Sequence, residues 1–485
     1  MSTDRDFSSH NKFTIRLELV NKPGVFASVA ALIAAAKADL GAVDIVEATA
    51  SRIIRDVTFD VARQKDADRI LKGLESLANV KVIAVSDRVL LLHRGGKIQI
   101  QNKIPIQTRN QLSMAYTPGV AQVCRVIAKD PQKVYQLTIK GNTVAVVTDG
   151  SAILGLGNLG PQAALPVMEG KAMIFKEFAN IDAWPICLAT QDTEEIIKTV
   201  LNIAPGFGAI NLEDISAPRC FEIEERLKKE LNIPVMHDDQ HGTAIVVLAA
   251  LRNALKIVKK DIKDVRVVVN GLGAAGAACC RILLTAGVEH LIACNRKGAV
   301  LHVDPQNADQ ARSDLFSCAD RESPFSTLRE ALVGADVFIG VSAGNILSAH
   351  DIKRMKRDRI VFAMANPDPE INPHEAFNCC RIFATGRSDF PNQINNALVF
   401  PGIFRGALNV RAKQINDEMK LAAARALANL ISKEQLNEEY ILPSIFDKRV
   451  VAAVARAVEE AAFKTKVAQI KLIDQGNLEC SHQNY

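Results

Sequence analysis

The stretch PVMHDDQHGTA, residues 234–244, sets two adjacent carboxylates, Asp238 and Asp239, between two imidazoles, His237 and His241. Such a string can hold a metal ion, run acid–base chemistry, or form a polar loop that caps a helix. Partners elsewhere in the chain must decide among these. A second acidic pair, Glu213 and Asp214, ends the apolar run of GAINLEDI. In isolation that pair reads as a solvated turn or a helix cap. Lys171 follows Gly170 in the glycine-rich strip that begins VTDGSAILGLGNLGP, and Tyr116 precedes a Pro-Gly turn in SMAYTPGVA. Asn366 in MANPDPEINP, and Asn395 and Asn396 in ATGRSDFPNQINNALVFPG, stand in loops near the ends of strand-like runs.

A separate constellation points to a nucleotide. In DVRVVVNGLGAAGAACCRILLTAG, Gly271, Gly273 and Gly276 come directly after an apolar strand and at the start of a helix. There the glycines let the backbone approach a pyrophosphate, and the helix N-terminus supplies donors and a favourable dipole. The following strand, HLIACN, should end in an acid that binds the ribose hydroxyls, but Asn295 stands there, followed by Arg296 and Lys297. Losing the carboxylate removes repulsion against a 2′-phosphate, so the choice between NAD and NADP stays open.

These groups must be positioned by a larger framework. In residues 13–92, Phe13, Ile15, Leu17 and Leu19 alternate with polar residues, as in a half-buried strand. The turn NKPGVF, a helical pattern through Val29 and Ile33, the runs AVDIVEA and RDVTFDVA, a helix with Ile70, Leu71, Leu74 and Leu77, and VKVIAVSDRVLLLH complete a βαββαβ order. RGGKIQIQNKIPIQT (94–108) reads as a linker. Beyond it, TVAVVTDG, GAINLEDI, DVRVVVNG, HLIACN, ADVFIGV and RIVFAMANP alternate with helical stretches to about residue 470, which predicts a parallel α/β architecture. The polar end GNLECSHQNY is expected to fray.

Composition bounds the reading. At 485 residues the chain needs several domains, and 48% apolar with 23% charged residues describes a globular protein. A net charge of +5 without a long basic run gives no case for nucleic acid, though it suits an anionic small substrate. The ten cysteines show no zinc or disulfide spacing, which implies a reducing compartment. The N-terminus lacks the apolar core of a signal peptide, and no apolar run approaches the roughly 20 residues that span a bilayer. The expectation is a cytoplasmic protein without a membrane partner.

Together and in this order, the strips from about residue 100 to 465 resemble malic enzyme, the oxidative decarboxylase that converts malate to pyruvate and carbon dioxide. The N-terminal unit is similar to an ACT domain, a regulatory module that often binds amino acids. The resemblance implies an ACT-like βαββαβ ferredoxin-like domain at 11–93, an α/β malic-enzyme catalytic domain at 94–236, a Rossmann-type NAD(P)-binding domain at 237–470 and a tail at 471–485. It implies Mg²⁺ or Mn²⁺ on Glu213, Asp214 and Asp239, with Asp238 orienting them, and hard oxygen ligands suit such ions. It further implies Lys171 as the base that takes the C2 hydroxyl proton, after nearby metal and burial shift it towards neutrality, and Tyr116 as the acid that protonates C3. Asn366, Asn395 and Asn396 would orient substrate and nicotinamide, and Gly271, Gly273, Gly276 and Asn295 would meet the dinucleotide. A homo-oligomer and an amino-acid or metabolite effector are also implied.

One departure stands out. Enzymes of the eukaryotic type carry an arginine just before ILGLG that grips a malate carboxylate, where this chain has Ser151-Ala152. Another cation, from this chain or a second subunit, must then hold the carboxylate, or the substrate differs. Two other readings are a malolactic-type decarboxylase with tightly held NAD, and an inactive amino-acid sensor.

Overall fold

Residues 11–61, 64–304 and 325–470 are described by the structure, a computed structural model. The expected tail at 471–485 lies outside them. The chain divides into two compact units, residues 1–99 and 100–485.

In the first unit the alternating residues of β1 (Asn11–Val20) bury Ile15 and Leu17 completely. With β2 (Asp39–Ala48), β3 (Arg52–Val61) and β4 (Val80–Asp87) it forms an antiparallel sheet in the order β2-β3-β1-β4. The helices Val25–Ala35 and Gln64–Ser76 contribute Val29, Ile33, Ile70 and Leu74 to the same core, which completes a ferredoxin-like βαββαβ unit. One expectation fails locally. Arg88–His93, read as part of the closing strand, is a helix. Its consecutive apolar residues lack the period-two alternation that a half-buried strand requires.

The second unit holds two largely parallel sheets. β5 (Thr143–Thr148), β6 (Asp182–Cys187), β7 (Ala209–Leu212) and β8 (Val235–His237) lie in the order β6-β5-β7-β8. β9 (Arg266–Asn270), β10 (His290–Asn295), β11 (Gly298–Val303), β12 (Val337–Gly340), β13 (Ile360–Ala363) and β14 (Ile382–Thr385) lie in the order β11-β10-β9-β12-β13-β14, with only β11 antiparallel. In each sheet the first strand in the chain, β5 or β9, has later strands on both sides. Ligands of such sheets bind outside the carboxyl ends of the strands at that reversal point. β5, β7 and β8 run directly into Asp149, Glu213-Asp214 and Asp238-Asp239 there.

The helix Asp238–Val258 ties the sheets together. Its buried face joins one core with Val144 and Val146 of β5 and Val267 and Val269 of β9. At 21 residues it is long enough, with a sufficiently apolar 18-residue window, to cross a membrane by length and composition, although charged residues interrupt it. Two-thirds of that span is buried between the layers of this fold, which explains why it is apolar all round.

Candidate active site

Lys171 projects from the helix Pro161–Ala179 and is 7% exposed. Its Nζ donates to Asp238 Oδ2 at 2.6 Å, lies 2.9 Å from Glu213 Oε1, and sits 4.2 Å from the centroid of the Phe400 ring. Asp238 Oδ2 also accepts from Asn396 Nδ2 at 2.5 Å. Glu213 Oε2 accepts from the buried Asn211 Nδ2 at 2.9 Å. Close approach at this junction depends on Gly242: a Cβ there would stand 2.1 Å from Asp238 Oδ1 and 2.9 Å from the Asn396 Cβ. The fold thus joins Lys171, Glu213, Asp238 and Asn396 from four separate strips.

Asp239 and Asp214 complete the acidic face. Asp239 Oδ2 accepts from the Asp214 amide at 2.7 Å, and Asp214 takes a positive φ of 54° at the turn after β7. Burial pushes all three expected metal ligands up, Glu213 to about 8 and Asp214 and Asp239 to about 7, and their mutual repulsion adds to it. Asp214 Oδ2 is buried without a hydrogen-bond partner. Among the described residues, no three His, Cys, Asp or Glu side chains already close on a metal-sized point. Even so, a repelling carboxylate set with an orphaned buried oxygen is the donor chemistry that fits a divalent hard cation.

The lysine feels opposing influences. Burial would lower the Lys171 ammonium towards neutrality, but Asp238, Glu213 and Asp239 outweigh it and hold it above its ordinary value. The imidazoles take no ligand position. Burial pushes His237 down to about 4 and His241 down to about 3. His241 Nε2 lies 2.9 Å from Glu224, which also accepts from the His237 amide at 3.0 Å and pairs with Lys228 at 2.6 Å. Glu224 therefore props the strand end that launches Asp238 and Asp239. Sequence reading missed it because its partners lie 13 and 17 residues away on another element.

Two other supports also escaped it. Arg219 Nη2 lies 3.0 Å from the fully buried Asp149, 3.1 Å from Ser151 Oγ and 3.0 Å from Ser216 Oγ, tying the ends of β5 and β7. A guanidinium thus does reach the Ser151 position, from 68 residues away. Glu370, fully buried, accepts from the Ser342 amide at 2.9 Å and the Ala365 amide at 3.1 Å beyond the ends of β12 and β13. That carboxylate frames the turn of Asn366. Asn366 itself is exposed, and the Ile153–Gly155 turn closes on it: a Cβ on Gly155 would lie 3.1 Å from its carbonyl. Asn395 spends its Oδ1 on the Ala397 amide, at 2.9 Å, so Asn396 alone of the pair reaches Asp238. Tyr116 stands outside this cluster. It is 67% exposed at the end of the helix Arg109–Ala115, in which no residue is buried.

At the second sheet the glycine turn has the form expected. Gly271 has φ +103°, and a Cβ on Gly276 would lie 1.6 Å from the Gly271 carbonyl. Gly273, by contrast, faces open space, and it precedes the helix Ala274–Thr285 with no side chain capping the first turn. Bare amides at an uncapped N-terminus over an open glycine suit a pyrophosphate. Asn295 lies exposed at the end of β10.

The helix that opens with Asp238 and Asp239 packs along the helix that opens at this glycine turn. One rigid contact thus couples the carboxylate–lysine cluster to the nucleotide turn, an arrangement that defines the class as a dinucleotide-dependent α/β enzyme. Family profiles narrow the class: "Malic enzyme, N-terminal domain" matches residues 95–228 and "Malic enzyme, NAD binding domain" matches residues 240–463. The chain is 56% identical to the NAD-dependent malic enzyme of Geobacillus stearothermophilus over 94% of this chain and 95% of that one. It is 51% identical to the bifunctional malic/malolactic enzyme of Bacillus subtilis over 80% and 95% of the two chains. The crystal structure of malic enzyme from Pyrococcus horikoshii superposes with a TM-score of 0.74 at 48% identity, covering 81% of this chain and 94% of that one. The chain belongs to the malic enzyme family.

Proposed function

We propose that this protein oxidatively decarboxylates malate to pyruvate and carbon dioxide with reduction of NAD or NADP. The observation that carries the reading is the buried Lys171 held between Asp238 and Glu213, beside Asp214 and Asp239, in a member of this family. Glu213, Asp214 and Asp239 would hold Mg²⁺ or Mn²⁺. When bound, the cation polarises the substrate's hydroxyl and carboxylate oxygens, and the nicotinamide accepts the hydride. Lys171 Nζ is the base that takes the proton of the C2 hydroxyl; a cation held by the carboxylates would weaken the field that favours its ammonium form. Asp238 keeps Nζ aimed, and Asn396 fixes Asp238 in turn. Asn366 and Asn395 orient the substrate and the nicotinamide. Arg219 is the cation that reaches the place of the missing arginine. Incubation with malate, Mn²⁺ and each nicotinamide should yield pyruvate and reduced cofactor in equal amounts. Lactate without accumulation of reduced cofactor would replace this reading with the malolactic one, which the similarity to a bifunctional relative favours as the second choice.

Tyr116 supplies the proton to C3 from a second copy of the chain. Ile104, Ile106, Leu112, Met114 and Tyr116 are all at least 47% exposed, an apolar strip that a homo-oligomer would cover. Mixing inactive Tyr116→Phe and Lys171→Ala proteins under subunit exchange should restore about a quarter of wild-type activity, from mixed dimers with one intact site. Mixed dimers without recovery would place Tyr116 in its own subunit's site. We also propose a catalytic domain at 94–236, a nucleotide domain at 237–470, and a small-molecule effector on the ACT-like unit at 11–93. An amino-acid panel in thermal shift with the full chain tests the effector. A cytoplasmic setting suits the eight described cysteines, all of them free thiols.

A further inference from the structure

The geometry points to Arg296 and Lys297 as the receptor for the adenosine 2′-phosphate of the cofactor, so that NADP is used in preference to NAD. This rests on the dinucleotide site proposed above. β10 ends at Asn295 and β11 begins at Gly298, with those two residues paired across the hairpin, so Arg296 and Lys297 are its entire loop. Both are exposed. The loop is anchored to the phosphate turn: the Gly271 amide donates to the Cys294 carbonyl at 2.9 Å, and Cys294 stands in register with Asn270 on β9. A dinucleotide whose pyrophosphate lies on the first turn of Ala274–Thr285 carries its adenosine ribose to the end of the neighbouring strand, which is this hairpin tip.

An NAD site places a carboxylate there to accept from both ribose hydroxyls, and the same charge repels a 2′-phosphate. Here Asn295 is neutral, and its Oδ1 already accepts from the Lys297 amide at 2.7 Å. That bond fixes the turn while leaving no anionic acceptor for the ribose. Between Val265 and Val303 the single acid is Glu289, which precedes β10 and so stands at the opposite end of the sheet. The two-residue loop itself therefore carries two cations and no acid. An arginine fork and an ammonium match a phosphate of about two negative charges.

The test is kcat/KM for NADP and for NAD, with malate and Mn²⁺, in wild type, in the double variant Arg296→Ala, Lys297→Ala, and in Asn295→Asp. Wild type should favour NADP. The double variant should lower the NADP-to-NAD ratio about 100-fold, and Asn295→Asp about 10-fold, as expected for lost or opposed charged hydrogen bonds. Raising ionic strength should weaken NADP more than NAD. Wild type favouring NAD, or a ratio that moves less than threefold in the double variant, overturns the assignment while leaving the malate reaction intact. No turnover with either cofactor would instead overturn the reaction. Calorimetry then decides the tip by itself: adenosine 2′,5′-bisphosphate should bind at least 10-fold tighter than 5′-AMP to wild type, and equal binding refutes the proposal.

Discussion

Asp238→Asn isolates the contact on which the site depends. The substitution keeps shape and volume but removes the charge 2.6 Å from Lys171 Nζ. At an effective dielectric of about 20, that gross attraction is about 6 kcal/mol. Much of it offsets the dehydration of two buried ions, and breaking one partner of such a pair costs about 3–5 kcal/mol net. Glu213, still 2.9 Å from Nζ, retains part of the pairing, so the lower end applies. An asparagine oxygen has two lone pairs and can still accept from both Lys171 and Asn396, so the substitution removes the charge rather than the acceptor. If about 3 kcal/mol is lost from alignment of the base, kcat falls roughly 100-fold. The assay is kcat and KM for malate at saturating Mn²⁺ and cofactor, with Tm followed on the same preparation. A kcat within threefold of wild type, with unchanged Tm, would mean that Asp238 does not hold the lysine in the working enzyme.

Gly242→Ala should reproduce much of that loss without touching any charge, because its Cβ would fall 2.1 Å from Asp238 Oδ1 and force the carboxylate aside. A kcat drop of about 10-fold or more is the expected outcome, by steady-state kinetics. The carboxylate set predicts a pH dependence. Glu213, Asp214 and Asp239 have folded values raised above their ordinary 4.5 and 3.8, so from about pH 4 to 8 the folded state keeps protons that the unfolded chain has released. Their contribution to stability of the metal-free protein therefore falls as pH rises through that window. Mn²⁺ should raise Tm more at pH 8 than at pH 6, since fewer protons must leave; an equal or larger rise at pH 6 would count against the three as ligands. For Glu224, burial would raise the carboxyl, but His241 and Lys228 hold it well below the usual range. Its stabilisation is present above the unfolded value of 4.5 and is lost as pH falls below it. Glu224→Gln should cost about 2–3 kcal/mol at neutral pH, reduced by the partial exposure of Lys228, and the Tm gap to wild type should narrow in acid.

What could be read before folding divides along a physical line. β5, β7, β9, β10, β12 and β13 announce themselves as apolar runs ending in Gly, Asp or Asn, and the glycine turn follows from local context alone. β8 does not, since three residues carry no usable periodicity, and β6 is interrupted by Pro185. The same line runs through the site. Glu213 and Asp214 stand out as the acidic end of a readable strand, whereas Asp238 and Asp239 follow the unreadable β8 and take a role only through the family resemblance. The field on Lys171 was not, because it sums over carboxylates from two strips distant in the chain.

Arg219 makes the point sharpest. Judged position by position, the strip at Ser151-Ala152 lacks a cation, and substrate recognition looks impaired. In space, a guanidinium from the start of another helix occupies that corner, held by Asp149, Ser151 and Ser216. A serine at 151 supplies the hydroxyl that receives it, accepting from Nη2 while donating to Asp149 Oδ1 at 2.6 Å. The charge missing from one strip is thus present in the fold. Arg219→Lys should separate the two readings: a lone ammonium in the place of Nη2 loses the second branch, Nη1, which donates to the Gln191 carbonyl and fixes the orientation of the fork. KM for malate should rise about 10-fold or more while KM for the cofactor moves little, and an unchanged KM for malate would reduce Arg219 to a brace between β5 and β7.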